Sequence, residues 1–245
     1  MADFQEEREL IAEACRILGN LDLTKEASGH VSARIEGGDK VLIRARGPEE
    51  AGVRFTTARE IITVDLDGNK LEGAEGLERP QEVFIHTWIY KSRPEVKSVV
   101  HVHPPTVVLF TICNKPLLPL YGAYDPSSLR LYLDGIARYG RSVLIANDER
   151  GREFAQAIGE KRACLMRGHG ITTVGKSVQE ATVTAIKLNE LAEMNYRASL
   201  LGAPEPIPEE DLRAFSQMGG GGVHLISTWR YYSRLAGGKR EVGAL

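Results

Sequence analysis

Apolar side chains recur every three or four positions in several parts of this chain, as they do on one face of a helix. Leu10, Ile11, Ala14 and Leu18 follow this spacing, so a helix is predicted over residues 4–18. A longer pattern of the same kind predicts one helix over 177–201. Shorter helices are predicted over 80–90, 106–113, 127–138 and 149–159.

Short apolar or alternating runs between these helices predict strands. They cover residues 31–35, 41–45, 96–103, 142–146 and 163–167, and an Asp-Gly turn within 61–73 predicts a hairpin. Helices and strands interleave as far as residue 201, which favours one α/β domain over 1–201. The proline-rich segment 202–210 then begins a C-terminal extension over 202–245.

Composition and charge exclude several classes of protein. The 245 residues are 42% hydrophobic, enough for a sizeable core. Lys and Arg number 31 against 33 Asp and Glu, a net charge of −2, which argues against a partner recognised through phosphate neutralisation, such as nucleic acid, and against a polybasic membrane-surface protein. No apolar run approaches the roughly 20 residues of a membrane-spanning helix.

Cysteine usage indicates a reducing compartment. Cys15, Cys113 and Cys164 are odd in number and form no CxxC pair, so we expect buried free thiols rather than a disulfide framework. The acidic, amphipathic N-terminus lacks the basic start and apolar stretch of a secretory signal. The cytoplasm is therefore the expected location.

Candidate chemistry is concentrated in a few histidines and one glutamate. His101 and His103 are two positions apart at the end of an apolar strand, so both side chains leave the same face and form a possible metal-binding pair. His169 lies between glycines directly after a later strand. Glu82 opens the helix that precedes the His101 strand and can reach the same site. His86, one turn further on, is predicted to be an orienting or core histidine.

Taken together these segments resemble the class II aldolase/adducin superfamily over roughly residues 5–201. The resemblance rests on PQEVFIHTWIYKSRPEVKSVVHVH at 80–103, RGHG at 167–170 and SGHVSAR at 28–34. It implies a three-layer α/β/α fold with a central, mostly antiparallel sheet, and a homotetramer with metal sites near subunit interfaces. It also implies one divalent ion (Zn, Mn, Fe or Co) on His101, His103 and His169, with Glu82 as acid/base and as a ligand when substrate is absent.

Departures from the family's sugar-phosphate aldolases point to a different substrate. Those enzymes present a serine pair before the glutamate and a Thr-Gly in the second hairpin, whereas this chain has Pro80 and Gln81 in the first place and Arg46-Gly47 in the second. Proline has no donor for a phosphate, while arginine suits a carboxylate. We therefore expect a small carboxylate-bearing substrate. The residues expected to bind it are Ser28, His30, Arg46 and Gly47, although Arg46 is equally consistent with a solvated hairpin arginine.

LMRGHG at 165–170 and GAYDPSSLRL at 122–131 resemble the branch that decarboxylates hydroxylated aromatic or heteroaromatic acids without oxidation. The sequence thus predicts a metal-dependent lyase of this kind. The alternatives are a class II aldolase acting on a small hydroxy-carbonyl substrate, a metal-dependent oxygenase and a non-catalytic adducin-like protein.

Two further elements have competing interpretations. Tyr121, or Tyr124 beside it, lies near the family's proton-donating tyrosine, yet a packed tyrosine also fits. The segment TWRYYSR at 228–234 is predicted to be a lid over a neighbouring subunit's site, entered through the glycine run 219–222, or else a helix packed on its own subunit.

Overall fold

An eight-stranded sheet forms the middle layer of the protein. The computed structural model describes residues 4–35, 37–217 and 223–237, apart from the side chain of Val223. The strands are β1 (His30–Arg34), β2 (Lys40–Arg44), β3 (Ile61–Asp65), β4 (Lys70–Glu72), β5 (Ser98–Val102), β6 (Ala137–Tyr139), β7 (Ala163–Met166) and β8 (Gly170–Gly175). Their order in the sheet is β4-β3-β2-β1-β5-β8-β7-β6. Neighbouring strands are antiparallel except for the parallel pair β6 and β7.

Helices cover both faces of this sheet. They are α1 (Gln5–Asn20), α2 (Val83–Ser92), α3 (Pro105–Ile112), α4 (Pro126–Leu133), α5 (Asp148–Ile158), α6 (Val178–Leu201), α7 (Glu209–Gln217) and α8 (Val223–Leu235). One core packs between the sheet and a layer that includes α1 and α6. A second core lies on the opposite face, beneath α2 and α5. The three-layer α/β/α fold with a mostly antiparallel sheet is therefore confirmed.

The period of two along each strand decides which side chains meet α2. Val31 of β1 and Val100 of β5 belong to the core under α1 and α6, whereas Val99 belongs to the core under α2 and α5. Because neighbours along a strand face opposite ways, His30 and His101 lie on the α2 side. They are also paired across the two strands. This face of β1 and β5 carries the candidate site.

Between residues 127 and 146 the structure differs from the sequence-based prediction. The helix predicted over 127–138 ends at Leu133, where Gly135 adopts a φ of +83° and the chain enters β6. Residues 142–146 form no strand. Their apolar character reflects burial instead, since Ile145 is inaccessible and its N–H donates to Glu82.

Three smaller expectations also need correction. The strand β8 was not predicted, although it directly follows the glycine-flanked His169. Cys113 is exposed at the end of α3, whereas Cys15 and Cys164 are buried as expected. Helix α2 begins at Val83 rather than at residue 80, because a turn in which the Val83 N–H donates to the Pro80 carbonyl precedes it.

The helix α8 packs on α1 and α6 of its own chain. Trp229 is buried, the Tyr232 hydroxyl donates to Glu190 at 2.6 Å, and Ser233 donates to Glu13. This agrees with the packed-helix interpretation, and the lid over a neighbouring subunit stays a prediction. The glycine run 219–222 lies outside the described residues. Within the described ranges no helix has the length and apolar character needed to cross a membrane.

Candidate metal centre

Four side chains that are distant in sequence converge at one end of the sheet. One ligand atom each from Glu82, His101, His103 and His169 lies within 4.8 Å of all the others. The Nε2 atoms of His101 and His103 are 2.9 Å apart. The Oε2 atom of Glu82 is 3.2 Å from Nε2 of His169 and 3.6 Å from Nε2 of His101. The grouping expected from sequence is therefore present.

The backbone around each residue explains this convergence. His101 lies within β5 and His103 follows its last residue, so both leave the α2 face. His169 occupies the tight turn between β7 and β8, where Gly168 has a φ of +57°. At Gly170 a Cβ would lie 2.4 Å from the Val102 carbonyl oxygen, so only glycine allows this approach.

Glu82 is the N-cap residue of α2 rather than a member of its first turn. Its Oε1 atom accepts a hydrogen bond of 2.8 Å from the Ile145 N–H, which leaves Oε2 facing the histidines. The carboxylate is thus held from the side opposite the cluster. The apolar residues 142–146 therefore contribute to the site through their backbone.

The hydrogen bonds around His101 fix which of its ring nitrogens faces the cluster. The Thr172 hydroxyl lies 3.2 Å from Nδ1 of His101 and donates to the sulfur of Met166 at 3.4 Å. With Nδ1–H of His101 as the donor, the hydroxyl oxygen accepts and its own hydrogen stays free to bond to the sulfur, so both contacts are satisfied at once. Nε2 then carries the lone pair, and a hydrogen bond to the other ring nitrogen is the usual arrangement for a ligating histidine.

The donor set fits a divalent cation. Both ring nitrogens of His169 are buried, and neither forms a well-angled hydrogen bond within the described part of the chain, although Nε2 lies near Glu82. Ligand atoms held tetrahedrally at about 2.0–2.1 Å from an ion are separated by roughly 3.3 Å. The observed separations of 2.9, 3.2 and 3.6 Å bracket that value. Three imidazoles and a carboxylate suit zinc, manganese, iron or cobalt.

Burial and hydrogen bonding set the charges of these groups. Burial lowers the pKa of His101, and it lowers that of His103 to about 3, so both are neutral, the form that binds a metal. Burial alone would raise the pKa of Glu82, but the closeness of the His101 and His169 rings outweighs it and holds the pKa well below its usual range. One ionised carboxylate therefore lies beside the neutral imidazoles of His101 and His103.

A second group of polar side chains lies directly beside the cluster. Nδ1 of His30 is 2.7 Å from Nε2 of His86, and Nδ1 of His86 is 2.6 Å from Oγ of Ser32. Oγ of Ser32 is in turn 2.7 Å from the Tyr90 hydroxyl. The ring of His30 stacks on that of His101, with centroids 5.2 Å apart. Burial lowers the pKa of His86 to about 3, and it also lowers the pKa of His30.

The loop before β1 is held by a residue that the sequence analysis missed. Arg44 is 1% exposed, and its guanidinium donates to the carbonyl oxygens of Ala27 and Gly29 and pairs with Glu50. Gly29 has a φ of +94°, and a Cβ there would lie 2.9 Å from the Thr24 hydroxyl. A strand arginine normally faces solvent, so no simple pattern marks Arg44 as buried.

No hydrogen bond, ion pair or ring contact between described residues joins the remaining predicted site residues to the cluster. Arg46 forms a backbone bridge with Glu78, and half of its side chain is exposed. The Ser28 carbonyl accepts from the Thr24 hydroxyl. Tyr121 packs edge-on against Tyr124, and burial raises its pKa. The roles of these residues, and that of Gly47, stay predictions.

Comparison with known proteins identifies the family. Residues 9–196 match the family model for the Class II Aldolase and Adducin N-terminal domain. This match spans most of the chain, so the protein belongs to the class II aldolase and adducin family.

Among individual relatives, the similarity extends over nearly the whole chain. The chain is 38% identical over 230 residues to the 3,4-dihydroxyphthalate decarboxylase of Arthrobacter keyseri, and the match covers 91% of each protein. It is 36% identical over 233 residues to that of Rhodococcus jostii, covering 94% of this chain and 95% of the relative. The fold also matches an aldolase II superfamily protein from Pseudomonas syringae, with a TM-score of 0.84 at 23% identity, over 96% of this chain and 94% of that one.

Proposed function

We propose that this protein is a divalent-metal-dependent lyase that removes CO2 from a hydroxylated aromatic carboxylic acid without oxidation. The observation that carries the proposal is the convergence of Glu82, His101, His103 and His169 on one point. The decarboxylase relatives support the reaction type, since they match this chain over more than nine-tenths of its length.

His101, His103 and His169 would hold the metal, with Glu82 as a fourth ligand before substrate binds. Bound there, a divalent ion supplies a Lewis acid that stabilises negative charge on neighbouring oxygens as a carbon–carbon bond breaks. Neutral imidazoles leave the ion its full positive charge. Zinc, manganese, iron and cobalt all accept this ligand set.

Glu82 would move the proton that the reaction requires. Its carboxylate is ionised in this structure, so it first acts as a base and takes the proton of a ring hydroxyl. The hydroxyl's electron pair then moves into the ring, and Glu82 returns the proton to the carbon that bears the departing carboxylate. When the C–C bond breaks, CO2 leaves and the electron pair of that bond restores the aromatic ring. The Ile145 N–H holds Oε1 throughout, so Oε2 is the atom that transfers the proton.

Recognition of the substrate would involve the loop and hairpin near this end of the sheet. Ser28 and His30 precede or begin β1, and Arg46 and Gly47 follow β2, which pairs with β1. Arg46 would attract a carboxylate through its guanidinium. Tyr121 would act as an additional proton donor.

Reconstitution with metal tests the proposal. Metal-free protein is loaded with Zn²⁺, Mn²⁺, Fe²⁺ or Co²⁺ and given 3,4-dihydroxyphthalate, with CO2 and O2 both measured. We expect CO2 release that requires metal and consumes no O2. Uptake of O2 would indicate an oxygenase instead, and aldehyde release from a small hydroxy-carbonyl substrate would indicate an aldolase. Failure to bind metal at one ion per chain, with no turnover, would support an adducin-like role.

We also propose that the chain forms a homotetramer in which 202–245 covers a neighbouring subunit's site. Leu109 and Ile112 of α3 are 48% and 58% exposed, shortly after His103 in the chain, and an apolar surface beside the site favours association there. Light scattering gives the oligomeric state. A chain truncated after residue 201 should lose turnover more than metal binding if the lid exists.

A further inference from the structure

The buried hydrogen-bond chain beside the cluster has a direction. It runs from the Tyr90 hydroxyl through Ser32 and His86 to His30, with separations of 2.7, 2.6 and 2.7 Å. Ser32 and His86 are inaccessible to solvent, and Tyr90 is 1% exposed. Because these groups have no access to bulk water, each proton must be assigned to a partner within the chain.

Counting donors assigns those protons. The Tyr90 hydroxyl has one hydrogen, and Ser32 is the only described side chain within its hydrogen-bonding reach, so Tyr90 donates to Ser32. The serine hydroxyl also has one hydrogen, and its remaining acceptors are Nδ1 of His86 at 2.6 Å and the Val99 carbonyl oxygen at 3.5 Å. A hydroxyl hydrogen bond normally spans 2.5–3.0 Å, so the serine hydrogen lies toward His86.

The assignment determines the form of both histidine rings. Nδ1 of His86 accepts from Ser32, so neutral His86 carries its hydrogen on Nε2 and donates it to Nδ1 of His30. Nδ1 of His30 is thereby an acceptor. The hydrogen of neutral His30 consequently lies on Nε2, which has no hydrogen-bond partner among the described residues.

The position of His30 indicates what this free N–H serves. Its ring stacks on the ligand histidine His101, and its residue pairs with His101 across β1 and β5. His30 keeps 7% of its surface, whereas His86 behind it keeps none. A fixed donor beside a metal-binding cluster is suited to an anionic oxygen of the molecule that enters the site.

We infer that His30 donates a hydrogen bond from Nε2–H to a substrate carboxylate, and that Ser32 and His86 are positioning residues that hold it in this tautomer. The carboxylate is the one retained after CO2 loss, since a hydrogen bond to the departing group would weaken as that group leaves as neutral CO2 and would slow its loss. The identity of the carboxylate rests on the proposed function, whereas the tautomer does not.

Ligand binding tests the donor role. Zinc-loaded wild type, His30→Ala and His30→Gln are titrated by calorimetry with 3,4-dihydroxybenzoate, which keeps a carboxylate, and with catechol, which has none. We expect His30→Ala to weaken the dihydroxybenzoate about 10- to 100-fold and catechol less than about twofold. His30→Gln, which keeps an N–H donor, should fall between the two proteins. Equal losses for both probes, or no loss for either, would overturn the assignment.

The tautomer is measured without any ligand, so this result stands apart from the decarboxylation proposal. Long-range ¹H–¹⁵N correlation spectra of histidine-labelled, metal-free protein should show His30 protonated at Nε2. Ser32→Ala should populate the Nδ1–H form. Ser98→Ala is the matched control, because it removes a buried hydroxyl from the adjacent strand whose one hydrogen bond among the described residues is to the Ser32 carbonyl oxygen. Wild-type His30 protonated at Nδ1, or spectra unchanged by Ser32→Ala, would overturn the inference.

Discussion

Two groups of histidines lie side by side on the α2 face of the sheet and differ in how their ring nitrogens are used. In the cluster formed by Glu82, His101, His103 and His169, the nitrogens of His169 have no well-angled hydrogen bond among the described residues. In the neighbouring chain, both nitrogens of His86 are bonded, one to His30 and one to Ser32. Histidine ring nitrogens thus lack hydrogen bonds at His169 in the first group and are fully hydrogen-bonded at His86 in the second.

The difference has an energetic meaning. A buried polar atom without a partner costs about 1–3 kcal/mol, so the cluster is unfavourable until something binds to it. The chain through His86 meets that requirement internally and orients His30. The unsatisfied nitrogens of His169 therefore indicate binding capacity, whereas the satisfied ring of His86 serves orientation.

Removal of one cluster histidine should give the largest effect that separates the two groups. We expect His103→Ala to lose stoichiometric metal and to lower kcat/KM at least about a thousandfold, since the metal supplies several kcal/mol of charge stabilisation. Ser32→Ala, in the other group, should keep one metal per chain. Metal analysis and CO2 release measure both proteins. Full activity of His103→Ala without metal would refute the metal mechanism.

Replacing the carboxylate tests whether the cluster does more than bind metal. Glu82→Gln keeps an oxygen that can accept from the Ile145 N–H, so the fold should persist. It cannot take up and return a proton, and we expect kcat to fall about 10²- to 10⁴-fold while metal binding weakens only moderately. Single-turnover CO2 release with metal content measured in parallel separates the two effects. An unchanged kcat would remove Glu82 from the reaction.

Sequence reasoning reached the cluster because its signals are local. Two histidines at strand spacing share a face whatever surrounds them, and the glycines beside His169 permit a tight turn. The position of Glu82 followed from the order of elements, although it caps α2 instead of lying in its first turn. Alternating periodicities predicted an α/β domain, and the three-layer α/β/α arrangement followed from the family resemblance.

His86 was predicted as an orienting or core histidine and His30 as a substrate-binding residue, but the hydrogen bonds that join the second group were not predicted, because they depend on packing between elements. Spacing places His86 and Tyr90 one turn apart on a helix, and His30 and Ser32 on one face of a strand, but no pattern shows that these two faces meet. Arg44 is similar, because its burial depends on carbonyl oxygens of a distant loop. The 142–146 segment was predicted as a strand since burial beside a site and burial within a sheet give the same apolar run.

A smaller effect is expected from the residue that orients His101. Thr172→Val removes the hydroxyl that accepts from Nδ1–H, and loss of such a partner typically weakens metal affinity about 10- to 100-fold. Thr172→Ser keeps the hydroxyl and should bind metal nearly as wild type does. Competition with a chromogenic chelator measures both affinities. Equal affinity of the valine variant and wild type would mean that the His101 tautomer is set elsewhere.

The smallest effect is expected on the free energy of unfolding of the metal-free protein. Here Ser32→Ala should be more damaging than His103→Ala, the reverse of their order in activity. Ser32→Ala leaves Nδ1 of buried His86 and the Tyr90 hydroxyl without their partner, so we expect the free energy of unfolding to fall by about 1–3 kcal/mol. The ring of His103 bonds only to His101 among the described residues, and because His103 is partly exposed its removal lets water reach Nε2 of His101, so His103→Ala should change that free energy by less than about 1 kcal/mol. Urea unfolding followed by circular dichroism, with a chelator present, compares them. This small effect is expected because residues kept for binding contribute little to stability before the ligand is bound. A larger loss for His103→Ala than for Ser32→Ala would show that the cluster also stabilises the metal-free fold.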